Sequence, residues 1–145
     1  VFVFWKSTHG SPNRIGMQMT STDGGHTWSE ARRQGHEITG PEKNKPIQLE
    51  NGTILAPTAD RNGFQNGGAL VEISTDGGET WRAGKDVDNM RAIQPALMIY
   101  PDGRLQMACR GRGQMPMAWR PSLSEVTSQI AAKTCFIQDI PLISL

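Results

Sequence analysis

"STDGGHTW" occupies Ser21–Trp28 and "STDGGETW" occupies Ser74–Trp81, two octapeptides that differ only where His26 stands opposite Glu79 and that begin 53 residues apart. A motif copied at an interval has to be tested as a structural repeat first, because a repeat dictates the whole architecture. Each copy carries the chemistry of a chain reversal. Asp23 and Asp76 can accept hydrogen bonds from backbone N–H groups one to three residues on, as in an Asx-turn. Gly24-Gly25 and Gly77-Gly78 permit the positive φ angles of a tight turn. Thr27-Trp28 and Thr80-Trp81 then favour strand, with the indole as a large apolar anchor. The residues ahead of each box alternate: Ile15, Met17 and Met19 in "RIGMQMT", and Leu70, Glu72 and Ser74 against Val71 and Ile73 in "ALVEIS". Each box therefore reads as the connection of a β-hairpin, with Trp28 and Trp81 both mostly buried.

The text between the boxes keeps the same rhythm. "KPIQLENGTILAPT" is two apolar runs separated by Asn51-Gly52, a strong hairpin signal. "QPALMIYPDGRLQMACR" repeats the plan around Pro101-Asp102-Gly103, and Gly52 to Gly103 is 51 residues. One unit thus holds two hairpins in about 50 residues, the size and content of a propeller blade. The expected class is all-β, with blades of four-stranded antiparallel sheet. A propeller closes with about four to eight blades, and 145 residues supply two to three. Either the chain is a fragment, or it assembles, or its last segment covers the opening.

That last segment differs. No glycine follows Gly113, and "GQMPMAWRPSLSEVTSQ" stands where a third box is due. Ser122-Leu123-Ser124-Glu125 fits a capping box after Pro121, and Leu123, Val126, Ile130 and Ile137 fall near helical spacing. The spacing predicts a helix over 122–134, and a division into a repeat segment, 1–118, and an atypical tail, 119–145.

Composition narrows the partners. Fifteen basic residues balance fourteen acidic ones, a net charge of +1 without a basic block, so electrostatic binding to nucleic acid or a membrane surface is not expected. No apolar run approaches the roughly 18 residues of a membrane span. The opening "VFVFWKS" reads as a strand under way, with no basic leader ahead of it. Cys109 and Cys135 imply neither a disulfide framework nor a metal pattern, and His9, His26 and His36 lack ligand spacing. Neither a metal nor a cofactor is expected, and nothing in the sequence assigns a compartment.

Ser-x-Asp-x-Gly-x-Thr-Trp is the Asp-box, and the chain resembles the BNR-repeat family of sialidases (neuraminidases) and related six-bladed propellers. "NKPIQLENGTILAPT", "STDGGETW" and "IQPALMIYPDGRLQMACRGR" are similar to successive stretches of that domain, and the likeness covers roughly 1–118. The resemblance implies that the boxes, with Ser21, Asp23, Gly25 and Trp28 and with Ser74, Asp76, Gly78 and Trp81, are structural turns away from the pocket. It also implies a glycosidase mechanism of the exo-α-sialidase kind. Three arginines clamp the substrate carboxylate, an Asp is the acid/base, and a Tyr activated by a Glu attacks. Arg suits the clamp because its planar fork pairs bidentately with a carboxylate. Matching "DGRLQMACRGR" puts Arg110 at a clamp position, with Arg112 as the near alternative. Matching "IQPALM" puts Gln94 where the family has the activating Glu. A neutral amide cannot act as a base near neutral pH, and the one tyrosine, Tyr100, lies beside a hairpin turn. The catalytic set is incomplete in this chain.

The polar loops "GPEKNKP" and "TADRNGFQNGG" flank an apolar hairpin, and loops on a rigid scaffold are where binding groups sit. Lys45, Asp60 and Arg61 are the candidates there, against the commoner reading of such residues as solvated loop charges. Trp5 and Trp119 could stack on a sugar, or fill gaps between strands. Two functions remain open: a sialidase-like glycosidase-related protein acting on or binding sialylated or other acidic glycans, and a non-catalytic glycan-binding or assembly module. Self-association, as a homodimer or otherwise, is expected because fewer than three blades leave two faces uncovered, with a cap formed by the 122–134 helix as the alternative.

Overall fold

The computed structural model describes residues 1–7, 14–59, 68–84, 92–111 and 132–136. These form three antiparallel sheets and no helix. The first sheet holds β1 (Phe2–Ser7), β2 (Ile15–Thr20) and β3 (Arg32–Arg33) in that order. The second is a four-stranded meander of β4 (Ile47–Gln48), β5 (Ile54–Ala59), β6 (Ala69–Ser74) and β7 (Arg82–Ala83). In the third, β9 (Leu105–Gly111) lies between β8 (Ala92–Ile99) and β10 (Ala132–Phe136).

The helix expected over 122–134 meets this arrangement at its end. Residues 122–131 lie outside the described residues, and Ala132, Lys133 and Thr134 belong to β10, paired with Arg110, Cys109 and Ala108. A strand edge on β9 offers a ladder of N–H and C=O partners there. The spacing of apolar residues along one segment carries no record of that edge.

The sheets stack face to face, with the second in the middle. Every residue of β5 and β6 is buried. On one side Leu55, Ala69, Val71 and Ile73 pack against Ala92, Leu105, Met107 and Cys109 of the third sheet. On the other, Ile54, Ala56 and Trp81 pack with Ile38 of the β3–β4 connection and Phe4 of the first sheet. Fully burying side chains of this kind contributes about 1.5–3 kcal/mol each. Pro57 is tolerated inside β5 because β4 pairs only with Ile54 and Leu55, so no ladder partner on that side needs its missing N–H.

Both Asp-boxes close by the same bonds. The Ser21 hydroxyl donates to Asp23 Oδ1 (2.8 Å) and accepts from the Gly25 N–H (2.8 Å). Asp23 also accepts from the Thr27 N–H (2.9 Å) and the Thr27 hydroxyl (2.6 Å). In the second box Ser74, Asp76, Gly78 and Thr80 repeat the pattern, at 2.8, 2.8 and 2.9 Å, with the Thr80 hydroxyl at 2.5 Å from Asp76 Oδ2. Each carboxylate is committed to its own turn. The hydroxyl of Thr27 or Thr80, then the same residue's N–H, then the Ser hydroxyl, hold Asp23 and Asp76 well below the ordinary carboxylate range. A pKa depressed on folding adds stability that is complete above the unfolded value, about 3.9, and is lost as pH falls through the folded one. The melting temperature is therefore expected to fall steadily as the pH drops below about 4. The doubly substituted D23N/D76N chain should show a shallower acid slope than the parent when melted from pH 6 downward. An unchanged slope would place the acid sensitivity elsewhere.

The two boxes differ in what covers them. Trp81 is 9 % exposed, whereas Trp28, expected to be equally buried, is 37 % exposed. The Trp81 indole N–H donates to Gln18 Oε1 (2.8 Å) and lies 3.2 Å from Gly78 O, and Phe4 packs edge-on with ring centroids 5.9 Å apart. Gln18 and Phe4 both come from the first sheet. From the same sheet, the Gln18 amide and the Arg32 guanidinium donate to Gly78 O, each at 2.8 Å. The Phe2 ring comes so close that a Cβ on Gly78 (φ 90°) would stand 2.7 Å from it. Trp28 has a bond only to its own turn, to Gly25 O at 3.0 Å, because among the described residues no sheet precedes the first.

Candidate functional site

In an antiparallel meander successive turns alternate between two ends. The Asp-boxes and the Asn51-Gly52 turn occupy one end. The long connection from β3 to β4, residues 34–46, occupies the other, and it contains Lys45. Asp60 and Arg61 follow directly on Ala59 at the close of β5 and lie outside the described residues, as does Arg112. Gln94 lies in β8 and Arg110 in β9, where the Arg110 backbone is the register partner of Ile93.

The 34–46 connection is fastened to all three sheets. The Gly16 N–H bonds Ile38 O at 3.0 Å in the first. In the second, the carboxylate of Glu72, fully buried, accepts from the Thr39 N–H (2.8 Å) and the Gly40 N–H (2.9 Å). The Thr58 hydroxyl adds a bond to Gly40 O at 2.6 Å, and the Glu42 N–H one to Pro57 O at 3.0 Å. In the third, the Asn44 amide donates to Gln94 O (3.2 Å) and Pro95 O (2.8 Å). Glu72 is thus a structural carboxylate that satisfies two backbone donors which burial would otherwise orphan.

Asn44 draws together two of the sequence candidates, since its neighbour is Lys45 and its acceptor is the backbone of Gln94. The Gln94 backbone is unusual. Its φ is 54°, and the β8–β9 register shifts between Ile93 and Ala96, which is a bulge. Bulges re-aim side chains next to binding sites. Lys43, one residue before Asn44, also has a positive φ, 65°. Such conformations cost about 1–3 kcal/mol each and persist where the surroundings over-determine them; the two bonds from Asn44 supply that constraint here.

Beside this loop a groove of about 510 Å³ opens between the first and second sheets. Phe2 and Phe4, stacked with centroids 5.6 Å apart, Ile47 and Ile54 give it an apolar wall. Lys43, Asn44, Lys45 and Gln48 give it a polar rim with two cationic side chains. A flat aromatic wall beside cations can hold a ligand with one apolar face and an anionic group. Trp5, weighed as a sugar platform, is only partly buried in β1 and does not line this groove, and Trp119 lies outside the described residues. Among the described residues no group of three or more His, Cys, Asp or Glu could hold a metal ion. No helix among them is long and apolar enough to cross a membrane.

Sequence reasoning missed Asn44, Lys43 and Glu72 as parts of this end. Glu72 left a trace, as the one acid in the apolar alternation "ALVEIS". Asn44 left only its place in a polar loop.

Stacked antiparallel sheets, with paired Asp-boxes at one end and the long 34–46 connection at the other, define an Asp-box repeat protein. The BNR repeat-like domain matches residues 1–126, and the chain belongs to that sialidase-like family. No curated protein matches it.

Proposed function

We propose that this chain is a sialidase-related protein, its sheets the blades of a propeller, that binds acidic glycans at the loop end without hydrolysing them. The observation that carries the reading is the Asn44 tie, which fixes the Lys43–Lys45 loop to the Gln94 bulge on the strand beside Arg110. Lys43 and Lys45 supply cations beside the apolar wall of Phe2 and Phe4, and Arg110, matched to a clamp position by the family resemblance, is the further candidate for a sugar carboxylate. Gln94 stands where the family's activating Glu belongs, and an amide cannot take a phenol proton there. That substitution favours the binding module over the hydrolase.

A fluorogenic sialoside assay beside glycan-array binding tests this. Binding of carboxylated glycans without turnover is the expected result, and turnover would return the chain to the hydrolases. Arg110→Lys should weaken binding about tenfold, the equivalent of one charge-assisted hydrogen bond, because a point charge cannot reproduce a bidentate fork. Carboxylated and neutral glycans bound equally, or binding indifferent to both Arg110→Lys and Lys45→Ala, would overturn the proposed site.

A further inference from the structure

The sequence holds three Asn-Gly pairs, Asn51-Gly52, Asn62-Gly63 and Asn66-Gly67, and the first of them lies within the described residues. Its turn joins β4 to β5. The Leu49 N–H bonds Thr53 O (2.8 Å) and the Gly52 N–H bonds Leu49 O (2.9 Å), closing a short loop in which Gly52 takes a φ of 85°. Asn51 is exposed at the tip. Its side-chain Oδ1 accepts from the Thr53 N–H at 3.0 Å, the bond of an Asx-turn. Among the described residues nothing stands within 4 Å of the place a Cβ on Gly52 would take. The Gly52 nitrogen therefore has no side chain of its own, and no neighbour's, to shield it on that side.

We propose that Asn51 is a site of spontaneous covalent modification, losing its amide to attack by the Gly52 backbone nitrogen, and that the β4–β5 turn is remade as a result. Base takes the Gly52 N–H proton, and the nitrogen's electron pair forms a bond to Asn51 Cγ. The charge that develops on Oδ1 meets the Thr53 N–H, a donor already placed where the oxyanion forms. The Cγ–Nδ2 bond then breaks, Nδ2 takes a proton from water, and ammonia departs from a cyclic imide. Water opens that ring at either carbonyl. Opening between Cγ and the Gly52 nitrogen yields aspartate on the original backbone. Opening at the Asn51 carbonyl carbon yields isoaspartate, with the chain routed through Cγ. Water is the only co-reactant. The Gly52–Leu49 bond has to open before the attack, and a bond at the tip of an exposed turn opens far below the free energy of global unfolding.

Isoaspartate adds a carbon atom to the backbone inside the loop, which upsets the match between the Leu49–Thr53 and Gly52–Leu49 bonds. β4 depends on that closure, since it pairs with β5 only through Ile47 with Leu55 and Gln48 with Ile54. It is also the strand that follows Lys45, and Ile47 and Gln48 line the groove. Loss of the Asn51 amide by this route therefore loosens the strand at the edge of the candidate site. The chemistry is independent of the glycan reading and would survive its failure.

Incubation of the folded chain at mildly alkaline pH, followed by tryptic peptide mapping, tests it. Lys45 precedes Pro46 and is not cut, so one peptide from Asn44 to Arg61 carries Asn44 and Asn51 together. Asn51 should be converted to aspartate and isoaspartate while Asn44, followed by a lysine, keeps its amide. The rate should rise with pH, because base removes the Gly52 proton. Chain held in urea supplies the conversion expected without the fold. An Asn51 as intact as Asn44 in the folded chain, over a time in which the chain in urea loses the Asn51 amide, overturns the proposal. Melting is compared in the N62Q/N66Q background, so that Asn51 is the one Asn-Gly pair left to react. The isoaspartyl fraction should melt below the parent. Asn51→Asp, whose carboxylate can still accept from the Thr53 N–H, should melt with the parent. Equal melting of the isoaspartyl fraction and Asn51→Asp would overturn the effect on β4.

Discussion

Trp81→Ala is expected to lower the unfolding free energy by about 3–5 kcal/mol, the usual loss for truncating a large buried aromatic, while Trp28→Ala costs under about 1 kcal/mol in dilute solution. The octapeptides around the two residues are all but identical, so the comparison isolates what lies across from them. At Trp81 the truncation opens a cavity between Phe4, Ile54 and Ala56 and leaves Gln18 Oε1 without its indole donor. At Trp28 it removes a side chain 37 % exposed, whose one hydrogen bond lies within its own turn. Urea titration of both variants at low concentration supplies the numbers. Equal losses would mean that Trp28 is covered in solution even in the single chain.

Glu72→Ala is the second large loss, about 2–5 kcal/mol, because two buried N–H groups then lack an acceptor at about 1–3 kcal/mol each. Glu72→Gln retains one acceptor oxygen and should cost clearly less. The effect reaches the candidate site, because Thr39 and Gly40 anchor the connection that carries Lys43, Asn44 and Lys45. Hydrogen exchange at the Thr39 and Gly40 amides should quicken in Glu72→Ala well before global unfolding. Glycan binding should fall in the same variant at temperatures where it remains folded. Exchange at those amides that matched the parent would show that the connection is held by other contacts, with the Thr58 and Asn44 bonds the next to test.

Much of this protein is legible locally, for a physical reason. The hydrogen bonds of an Asp-box run between residues two to four apart, so eight letters suffice to write the turn, and two copies suffice to identify the family. Antiparallel hairpins around Asn51-Gly52 and Pro101-Asp102-Gly103 follow from the same short-range chemistry. Lys45 and Gln94 could each be singled out by position. Their connection could not, since it runs through the Asn44 amide to carbonyls 50 and 51 residues away. The Glu72 bonds to Thr39 and Gly40 likewise span 33 and 32 residues. At the close of the expected helix, the pairing edge of β9 made Ala132–Phe136 a strand, an outcome that local spacing does not encode. The two tryptophans separate the contributions most clearly. One local sequence builds both turns, but a residue's burial depends on what packs across from it. The first sheet lies over Trp81, and none lies over Trp28 among the described residues.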